Sequence, residues 1–400
     1  MLNAYIYGGL RTPFGKHSGA LSSVRPDDLL ANVLKKLTET YSFDVNSIED
    51  IIIGATNQAG EDARNIARNA LLVAGMPVTV SGQTVNRLCA SGLQAIINAA
   101  YGVSCGEGDL YIAGGVESMS RAPFVIAKSE AAFSRNFTVF DSTIGARFPN
   151  LRLIETYGND SMPETGDNVA IEYGISREEA DLFAFNSQKK YQKAKESGFF
   201  DDEIISILVP QGRRGETVEV NEDEHPRINI SLESLAKLRS LNNEGIVTAG
   251  NASGVNDGAA ALFVGSHDIG KKNGIKPIAK ILSSATSGVE PRVMGVGPVE
   301  AITKAISRAN LTLADIDIIE INEAFATQVL SCLKLLNISF DDPRVNPNGG
   351  AIAVGHPLGA SGARLVLTTA RELVRTSKRY AVISLCIGVG QGLAMVIERV

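Results

Sequence analysis

The chain has 400 residues, of which 44% are hydrophobic and 20% charged, and this length allows two or three domains with a large core. The net charge of −6 argues against a nucleic-acid-binding surface, and four cysteines are too few for a disulfide scaffold. No CxxC pair is present and the four histidines are scattered, so we expect no metal site.

Short apolar runs alternate with helical patterns over the first 120 residues. Residues 1–8 are predicted to form a strand rather than a signal peptide, and we expect no run of membrane-spanning length. Further strands are predicted at 51–54 and 110–113, and helices at 27–38 and 88–101. This alternation favours βαβ units around a mostly buried sheet. The few cysteines, the start of the chain and the expected lack of a membrane span favour a cytoplasmic protein that binds no membrane.

The middle of the chain, from about 121 to 249, is more polar and irregular. It contains one clear amphipathic helix from Ser176 to Ser197, for which Ser176 and Glu179 form a predicted capping box.

The alternating pattern returns from about residue 275 and indicates an internal repeat. Ala90-Ser91-Gly92 recurs as Ala360-Ser361-Gly362, and residues 49–53 resemble residues 316–320. Two matches at nearly the same offset predict two similar α/β halves. Such halves meet along an interface, which is a common place for a functional site.

Cys89 lies where the predicted helix 88–101 begins. The N-terminus of a helix has partial positive charge and unpaired N–H groups, and both favour thiolate over thiol. The thiolate is the reactive form, so Cys89 is a candidate nucleophile. The alternative is a buried structural cysteine. We interpret Cys105 as structural and Cys332 as a core residue on a helix.

Three polar positions in the second half are further candidates. Asn322 follows a predicted strand and would either stabilise a negative oxygen or cap the next helix. His356 lies between Gly355 and Pro357 in a glycine-rich loop before a helix, and histidine suits proton transfer near neutral pH. Cys386 begins a glycine-rich turn that either holds an oxyanion with its N–H groups or is a hairpin with a buried cysteine.

Taken together, these segments resemble the thiolase family. The family pattern is V-N-x-x-C-x-S-G, N-E-A-F-A, G-G-A-I-A-x-G-H-P-x-G-A-S-G and C-x-G-x-G-x-G, and this chain matches each segment in order. The resemblance implies a duplicated α/β thiolase fold with αβαβα layers. It divides the chain into an N-terminal half (1–120 and 250–272), a loop domain over coenzyme A (121–249) and a C-terminal half (273–400).

The resemblance also implies a role for each candidate. Cys89 would accept the acyl group, His356 would take its proton, and Cys386 would move a proton on or off the acetyl α-carbon. Asn322, acting through a water, would form one oxyanion hole with His356. The N–H groups of Cys89 and Gly388 would form the other. Coenzyme A is then a substrate, and no cofactor is expected.

The middle segment resembles the family's loop domain. By matching position, one group of residues is expected to contact coenzyme A and a second group to line the acyl pocket. The coenzyme A positions are Arg227, Ser234, Ala249, Ser253 and Gly254, and the pocket positions are Met162 and Phe325.

Three segments look most like the 3-oxoadipyl-CoA thiolases of aromatic-compound degradation, which form succinyl-CoA and acetyl-CoA. They are residues 58–62, 161–165 and 386–390, the last with Val389 where many thiolases have glycine. Because that substrate ends in a carboxylate, its pocket should offer a cation or hydrogen-bond donors. We predict Arg147 for this role; the alternative is a surface arginine paired with a nearby acid.

Several other functions are weighed against this one, and the sequence favours them to different degrees. An acetoacetyl-CoA thiolase and a general 3-ketoacyl-CoA thiolase of fatty-acid β-oxidation share the motifs. A 3-oxoacyl synthase commonly has two histidines in place of the second cysteine, and a non-catalytic acyl-CoA-binding relative would normally lack Cys89, His356 or Cys386. A cysteine protease would have no use for the C-terminal glycine turn. By analogy with the family we expect a homo-oligomer, a dimer or a homotetramer.

Overall fold

The computed structural model describes residues 2–211 and 215–400. The first part of the chain forms five strands, three helices and a 3₁₀ turn at Val45–Ser47. They are β1 (Ala4–Arg11), β2 (Gly15–Lys16), α1 (Pro26–Thr40), β3 (Asp50–Gly54), α2 (Ile66–Val73), β4 (Ser81–Val85), α3 (Ser91–Cys105) and β5 (Leu110–Ser118). All the predicted elements of this part are present, although the helix predicted from residue 88 begins only at Ser91.

The middle segment has small hairpins and mostly short helices. Its elements are β6 (Phe124–Ile126), β7 (Val139–Asp141), α4 (Leu151–Tyr157), α5 (Met162–Tyr173), α6 (Arg177–Glu196), β8 (Ile207–Gln211), β9 (Glu216–Val220) and α7 (Leu232–Ala236). The capping box predicted for Ser176 and Glu179 is confirmed at the start of α6, where each side chain accepts the other residue's backbone N–H.

The last part returns to long strands and helices, with 3₁₀ turns at Pro291–Val296 and Leu313–Asp315. Its elements are β10 (Asn256–Gly265), α8 (His267–Asn273), β11 (Ala279–Gly288), α9 (Gly297–Arg308), β12 (Ile318–Ile321), α10 (Ala326–Leu335), α11 (Ala351–Val354), α12 (Leu358–Thr376), β13 (Tyr380–Ile387) and β14 (Gln391–Arg399).

The strand order confirms the predicted duplication. In the first half the hydrogen-bonded order is β1-β10-β5-β3-β4, and in the second it is β11-β14-β13-β12. The strands predicted to be equivalent, β3 and β12, occupy the same place in the two orders, and each pairs in parallel with its neighbour β5 or β13. Antiparallel pairing of β1 with β11 joins the halves.

The layers follow from the helix contacts. Helices α3 and α12 pack on each other and on strands of both halves, while α1 and α2 cover the first half and α9 covers the second. The close approach of α3 and α12 depends on the repeated Ala-Ser-Gly motif. A Cβ on Gly92 would lie 2.5 Å from the Gly359 carbonyl oxygen, and one on Gly362 would overlap the Leu93 backbone nitrogen. This arrangement confirms the αβαβα layers, with the two motif copies in contact at the centre.

The expectation that no run reaches membrane-spanning length is wrong for the central helix. Residues Leu88–Cys105 are long and apolar enough to cross a membrane by length and composition. Most of this segment is α3, whose apolar side chains pack in the core against α12, β3 and β5.

The two cysteines outside the motifs differ in burial. Cys332 is fully buried on α10, as predicted, and Cys105 is exposed at the end of α3. Strand β10 follows the middle segment and pairs with β5 of the first half. The division into two halves and a loop domain at residues 120, 249 and 272 stays a prediction.

Candidate active site

Cys89 lies in the turn that precedes α3. Leu88 has a φ of +45°, Ala90 is the N-cap, and the Ser91 hydroxyl donates to the Leu88 carbonyl over 2.6 Å. The backbone N–H groups of Cys89 and of Gly388, in the β13–β14 turn, both contact the Cys89 sulfur. Cys89 is therefore partly exposed between the first half and the last turn of the second.

The expectation that the helix start favours a thiolate at Cys89 is wrong for the resting protein. Desolvation raises the pKa of this thiol to about 11, because it outweighs the N–H contacts from Gly388 and Cys89, and the charge of Glu117 adds to the increase. Cys89 also lies one residue before the N-cap, outside the first turn of α3. A neutral thiol needs a base before it can attack.

His356 is buried and held by three contacts, to Asn256, Ser361 and Asn322. Its backbone N–H donates to Asn256 Oδ1 over 2.9 Å, and its Nδ1 lies 2.6 Å from Ser361 Oγ. The Ser361 hydroxyl already donates to the Pro357 carbonyl, so its oxygen accepts from Nδ1–H, and Nε2 has the lone pair. Burial and the nearby Arg364 lower the pKa of His356 to about 3, so the imidazole is neutral.

Asn322 is fully buried directly after β12, beside His356. Its N–H donates to the Ser384 carbonyl over 2.9 Å, and its Nδ2 lies 3.3 Å from His356 Nε2. Its Oδ1 has no hydrogen-bond partner in the described part of the chain. Because a buried amide oxygen needs a donor, this atom suits a bound water or a ligand.

Cys386 is 1% exposed and belongs to an apolar cluster. The cluster consists of Val247, Ala252, Met294, Ala324, Phe325 and Cys386, with Met162 packed against it. Desolvation raises the Cys386 pKa, and the nearby Cys89 and Cys332 contribute to the increase. The structure therefore brings both predicted pocket residues, Met162 and Phe325, to the second cysteine.

Glu117 is a buried carboxylate that links the two halves behind Cys89. It accepts hydrogen bonds from the backbone N–H groups of Thr56, Asn57 and Gly359 over 2.8 to 3.1 Å. Burial raises the pKa of Glu117, whereas these donors favour the ionised form. The contact to Gly359 ties the start of α12, and with it the His356 loop, to the first half.

Sequence reasoning did not assign functions to Ser361, Asn256 or Glu117, although Ser361 lies in the repeated Ala-Ser-Gly motif. The sequence signal connected with Asn256 is the glycine before His356. Gly355 has a φ of +107°, and a Cβ there would overlap the Asn256 side chain.

The predicted coenzyme A residues form a connected but more exposed region. Arg227 Nη2 donates to the Ala249 carbonyl over 3.0 Å, and the Ser253 N–H donates to the Ala324 carbonyl over 2.9 Å. Ser234 lies on α7, whose Leu235 packs next to Gly250, and Gly254 lies against the ring of His225. The segment 249–254 thus connects Arg227 to the Phe325 end of the acyl pocket.

Arg147 lies in the irregular chain after β7, partly exposed. Its charge lowers the pKa of Asp62, although desolvation leaves the pKa of that carboxyl raised overall. No carboxylate of the described residues lies within 4.0 Å of its guanidinium. Arg87 is nearer in sequence to Cys89, and its Nη1 donates to the uncharged Gln391 Oε1 over 3.3 Å.

The chain matches two family models. Residues 4–268 match the thiolase N-terminal domain and residues 275–399 match the thiolase C-terminal domain.

Three relatives agree with this match. The chain is 52% identical to the 3-oxoadipyl-CoA/3-oxo-5,6-dehydrosuberyl-CoA thiolase of Escherichia coli K12 and 52% identical to a beta-ketoadipyl-CoA thiolase of Acinetobacter baylyi, over 100% of each chain. The crystal structure of the Bacillus anthracis acetyl-CoA acetyltransferase superposes with a TM-score of 0.93 at 38% identity, covering 100% of this chain and 99% of that one. The chain therefore belongs to the thiolase family, whose members are acyltransferases acting on acyl-CoA thioesters.

Proposed function

We propose that this enzyme cleaves 3-oxoadipyl-CoA with coenzyme A through an acyl group on Cys89. The observation that carries the chemistry is the neutral His356 imidazole, whose Nδ1–H is held by Ser361 so that Nε2 is its basic nitrogen, in a protein whose Cys89 thiol is also neutral. With both groups neutral, the resting site has no buried charge from either residue. Opposite charges develop on the sulfur and the imidazole only when the thiol attacks.

In the first half-reaction the Cys89 sulfur bonds to the C3 carbonyl carbon and its proton passes to His356 Nε2. The N–H groups of Cys89 and Gly388 stabilise the developing C3 oxyanion. The C2–C3 bond then breaks and leaves succinyl-Cys89. The acetyl-CoA enolate, whose oxygen is held near Asn322 and His356, takes a proton at C2 from the Cys386 thiol.

The second half-reaction restores every proton. Coenzyme A gives its thiol proton to the Cys386 thiolate and attacks the succinyl thioester. The Cys89 sulfur leaves and recovers its proton from the His356 imidazolium. The buried, raised-pKa position of Cys386 suits it for short-lived charge, since its thiolate is a strong base.

The relatives and the sequence support the choice of substrate. Two proteins named for 3-oxoadipyl-CoA or beta-ketoadipyl-CoA are 52% identical to this chain, against 38% for the acetyl-CoA acetyltransferase structure. Arg147 is our proposal for the residue that binds the distal carboxylate. Acetoacetyl-CoA is the second candidate substrate, because the TM-score of 0.93 is to an acetyl-CoA acetyltransferase.

Thiolysis assays with 3-oxoadipyl-CoA, acetoacetyl-CoA and 3-oxodecanoyl-CoA test the substrate. We expect the highest kcat/KM for 3-oxoadipyl-CoA. A higher value for either other compound would reject this substrate while leaving the thiolase chemistry in place.

We also propose that the chain works as a homo-oligomer in the cytoplasm, with coenzyme A as a substrate and no cofactor. The apolar side chains of Phe124, Phe133, Phe137 and Leu151 in the middle segment are largely exposed, and β4 is an edge strand. Light scattering after gel filtration tests the assembly, and a monomeric mass would contradict it.

A further inference from the structure

Val389 has a backbone conformation that disfavours its own side chain. Its φ is +64°, and it is the only β-branched residue with positive φ in the described part of the chain. Branching at Cβ makes this region of φ and ψ particularly unfavourable, and such conformations cluster at functional sites.

The surrounding hairpin fixes this conformation. Ile387 pairs with Gln391, and the next residue after Val389, Gly390, has a φ of +78°. Two consecutive positive φ values favour glycine or asparagine at both positions, as in the Asn-Gly and Gly-Gly sequences of tight hairpin turns. The Val289 N–H donates to the Gly390 carbonyl over 2.8 Å, so the turn is also anchored from outside. The hairpin would therefore accept glycine or asparagine more easily than valine.

The valine side chain makes little packing contact with the rest of the fold that would offset this strain. Val389 is 57% exposed, and it belongs to none of the apolar core clusters. An exposed apolar side chain in an unfavourable conformation contributes little to folding. The contact that would justify a valine here must therefore be made by a bound ligand at the neighbouring site.

The residue beside Val389 is Gly388, which lies close to Met162 of the predicted acyl pocket. The backbone N–H of this glycine lies near the Cys89 sulfur. A Cβ placed on Gly388 would lie 3.4 Å from Leu88 Cδ1 and 3.9 Å from Met162 Sδ. Leu88 is itself a positive-φ residue, at +45°. Two bulky residues with unfavourable backbone conformations are thus next in sequence to the residues of this site: Leu88 precedes Cys89 in the first half of the fold, and Val389 follows Gly388 in the second.

We propose that Val389 is a specificity-determining residue whose side chain packs on the acyl chain beyond the carbon bonded to Cys89. The ligand it favours is an acyl unit with at least two methylene groups after that carbon, such as the succinyl group. An acetyl group is too short to reach this contact. The identity of the succinyl group rests on the proposed function, whereas the dependence on chain length does not.

The test compares acyl chains of two lengths, with and without the terminal carboxylate. Thiolysis is measured for acetoacetyl-CoA, 3-oxohexanoyl-CoA and 3-oxoadipyl-CoA in the wild type, Val389→Gly, Val389→Ala and Val389→Ile. In the Gly and Ala variants we expect kcat/KM to fall about tenfold for both six-carbon substrates and less than about twofold for acetoacetyl-CoA. Val389→Ile keeps the β-branched shape and should retain the wild-type preference for the longer chains.

Thermal unfolding provides the structural control. Val389→Gly should have a Tm equal to or above that of the wild type, because glycine relieves the backbone strain. Equal losses on all three substrates, no loss on any, or a fall in Tm of more than about 5 °C would overturn the proposal. If the wild type prefers acetoacetyl-CoA, the proposed substrate fails, and the chain-length ratio between variants still decides the role of Val389.

Discussion

Ser361 and His356 are five residues apart, and the serine hydroxyl oxygen lies 2.6 Å from the imidazole Nδ1. The first turn of α12 brings Ser361 next to the ring, and the serine hydroxyl donates a hydrogen bond to the Pro357 carbonyl over 3.0 Å. This arrangement selects the tautomer that has its lone pair on Nε2, the nitrogen that faces Asn322 Nδ2 at 3.3 Å. The second copy of the Ala-Ser-Gly motif therefore orients the base as well as allowing close helix packing.

Ser361→Ala removes this orientation and leaves the helix contact intact. We expect kcat to fall roughly 10- to 100-fold with little change in KM, because the tautomer matters only during proton transfer. Ser331→Ala is the matched control, since that hydroxyl is also buried and donates to a carbonyl within a helix, away from His356. Steady-state kinetics of both variants decide the point, and a similar kcat loss in the two would contradict the role of Ser361.

The pH dependence of acylation should be flat across neutral pH. The pKa of His356 is lowered to about 3, so the ring stays a neutral base as pH falls from 8 to 5. The pKa of Cys89 is raised to about 11, so its thiol stays protonated up to about pH 10. The profile of kcat/KM for the acyl substrate should show no inflection near 6.5, the ordinary histidine value. An acid limb at that pH would mean that the imidazole is charged at rest in part of the range.

Glu117→Gln should make Cys89 more acidic. The Glu117 charge raises the Cys89 pKa, so its removal should move iodoacetamide alkylation of Cys89 to lower pH. A glutamine also replaces one acceptor oxygen by an amide NH2 group, which cannot accept a hydrogen bond. Some of the N–H donors of Thr56, Asn57 and Gly359 are then left unpaired. We expect a loss of stability of about 1–3 kcal/mol.

Glu107→Gln is the control for Glu117, because Glu107 is an exposed carboxylate just beyond α3. The two variants are compared by pH-dependent alkylation with mass spectrometry and by urea unfolding. An alkylation profile of Glu117→Gln that matches the wild type would show that its charge does not act on Cys89.

Gly362→Ala should disrupt the contact between the two halves. The new Cβ would overlap the Leu93 backbone nitrogen, which cannot move without shifting α3. We expect a destabilisation of about 3 kcal/mol in urea unfolding, together with loss of activity. Gly288→Ala is the control, since the nearest atom to its Cβ would be 4.0 Å away. Equal stabilities of the two variants would argue against close packing at the motif.

Arg147→Ala tests the predicted carboxylate contact. Its kcat/KM should fall far more for 3-oxoadipyl-CoA than for 3-oxohexanoyl-CoA, which lacks the carboxylate and has the same chain length. Equal losses on the two substrates would remove Arg147 from this role. Arg87, two residues before Cys89 and hydrogen-bonded to Gln391, would then be the next cation to test.

The sequence was sufficient to predict the duplication, because the repeat is marked by short local motifs, whereas the roles of the candidate site residues stay predictions. The Ala-Ser-Gly copies predicted the interface, and Ser176 with Glu179 predicted the start of α6. The pKa of Cys89 could not be predicted in this way. It depends on desolvation in the folded protein, which outweighs both the local effect of the helix start and the contact from Gly388, about 300 residues away in the chain.

The start of α3 was missed for a local reason. The periodic pattern continues back to Leu88, but that residue has a positive φ, which a sequence pattern does not predict for leucine. Similarly, Ser361 belongs to a recognised motif, but its contact with His356 depends on the path of the chain through Pro357.

The central claim is that Cys89 is the residue that accepts the acyl group. Mass spectrometry of the enzyme mixed with 3-oxoadipyl-CoA, without free coenzyme A and quenched in acid, tests it most directly. We expect a succinyl adduct on the peptide that contains Cys89, release of the adduct when coenzyme A is added, and no adduct in Cys89→Ala. An adduct on Cys386 or Cys105, or an unchanged adduct in Cys89→Ala, would contradict the account.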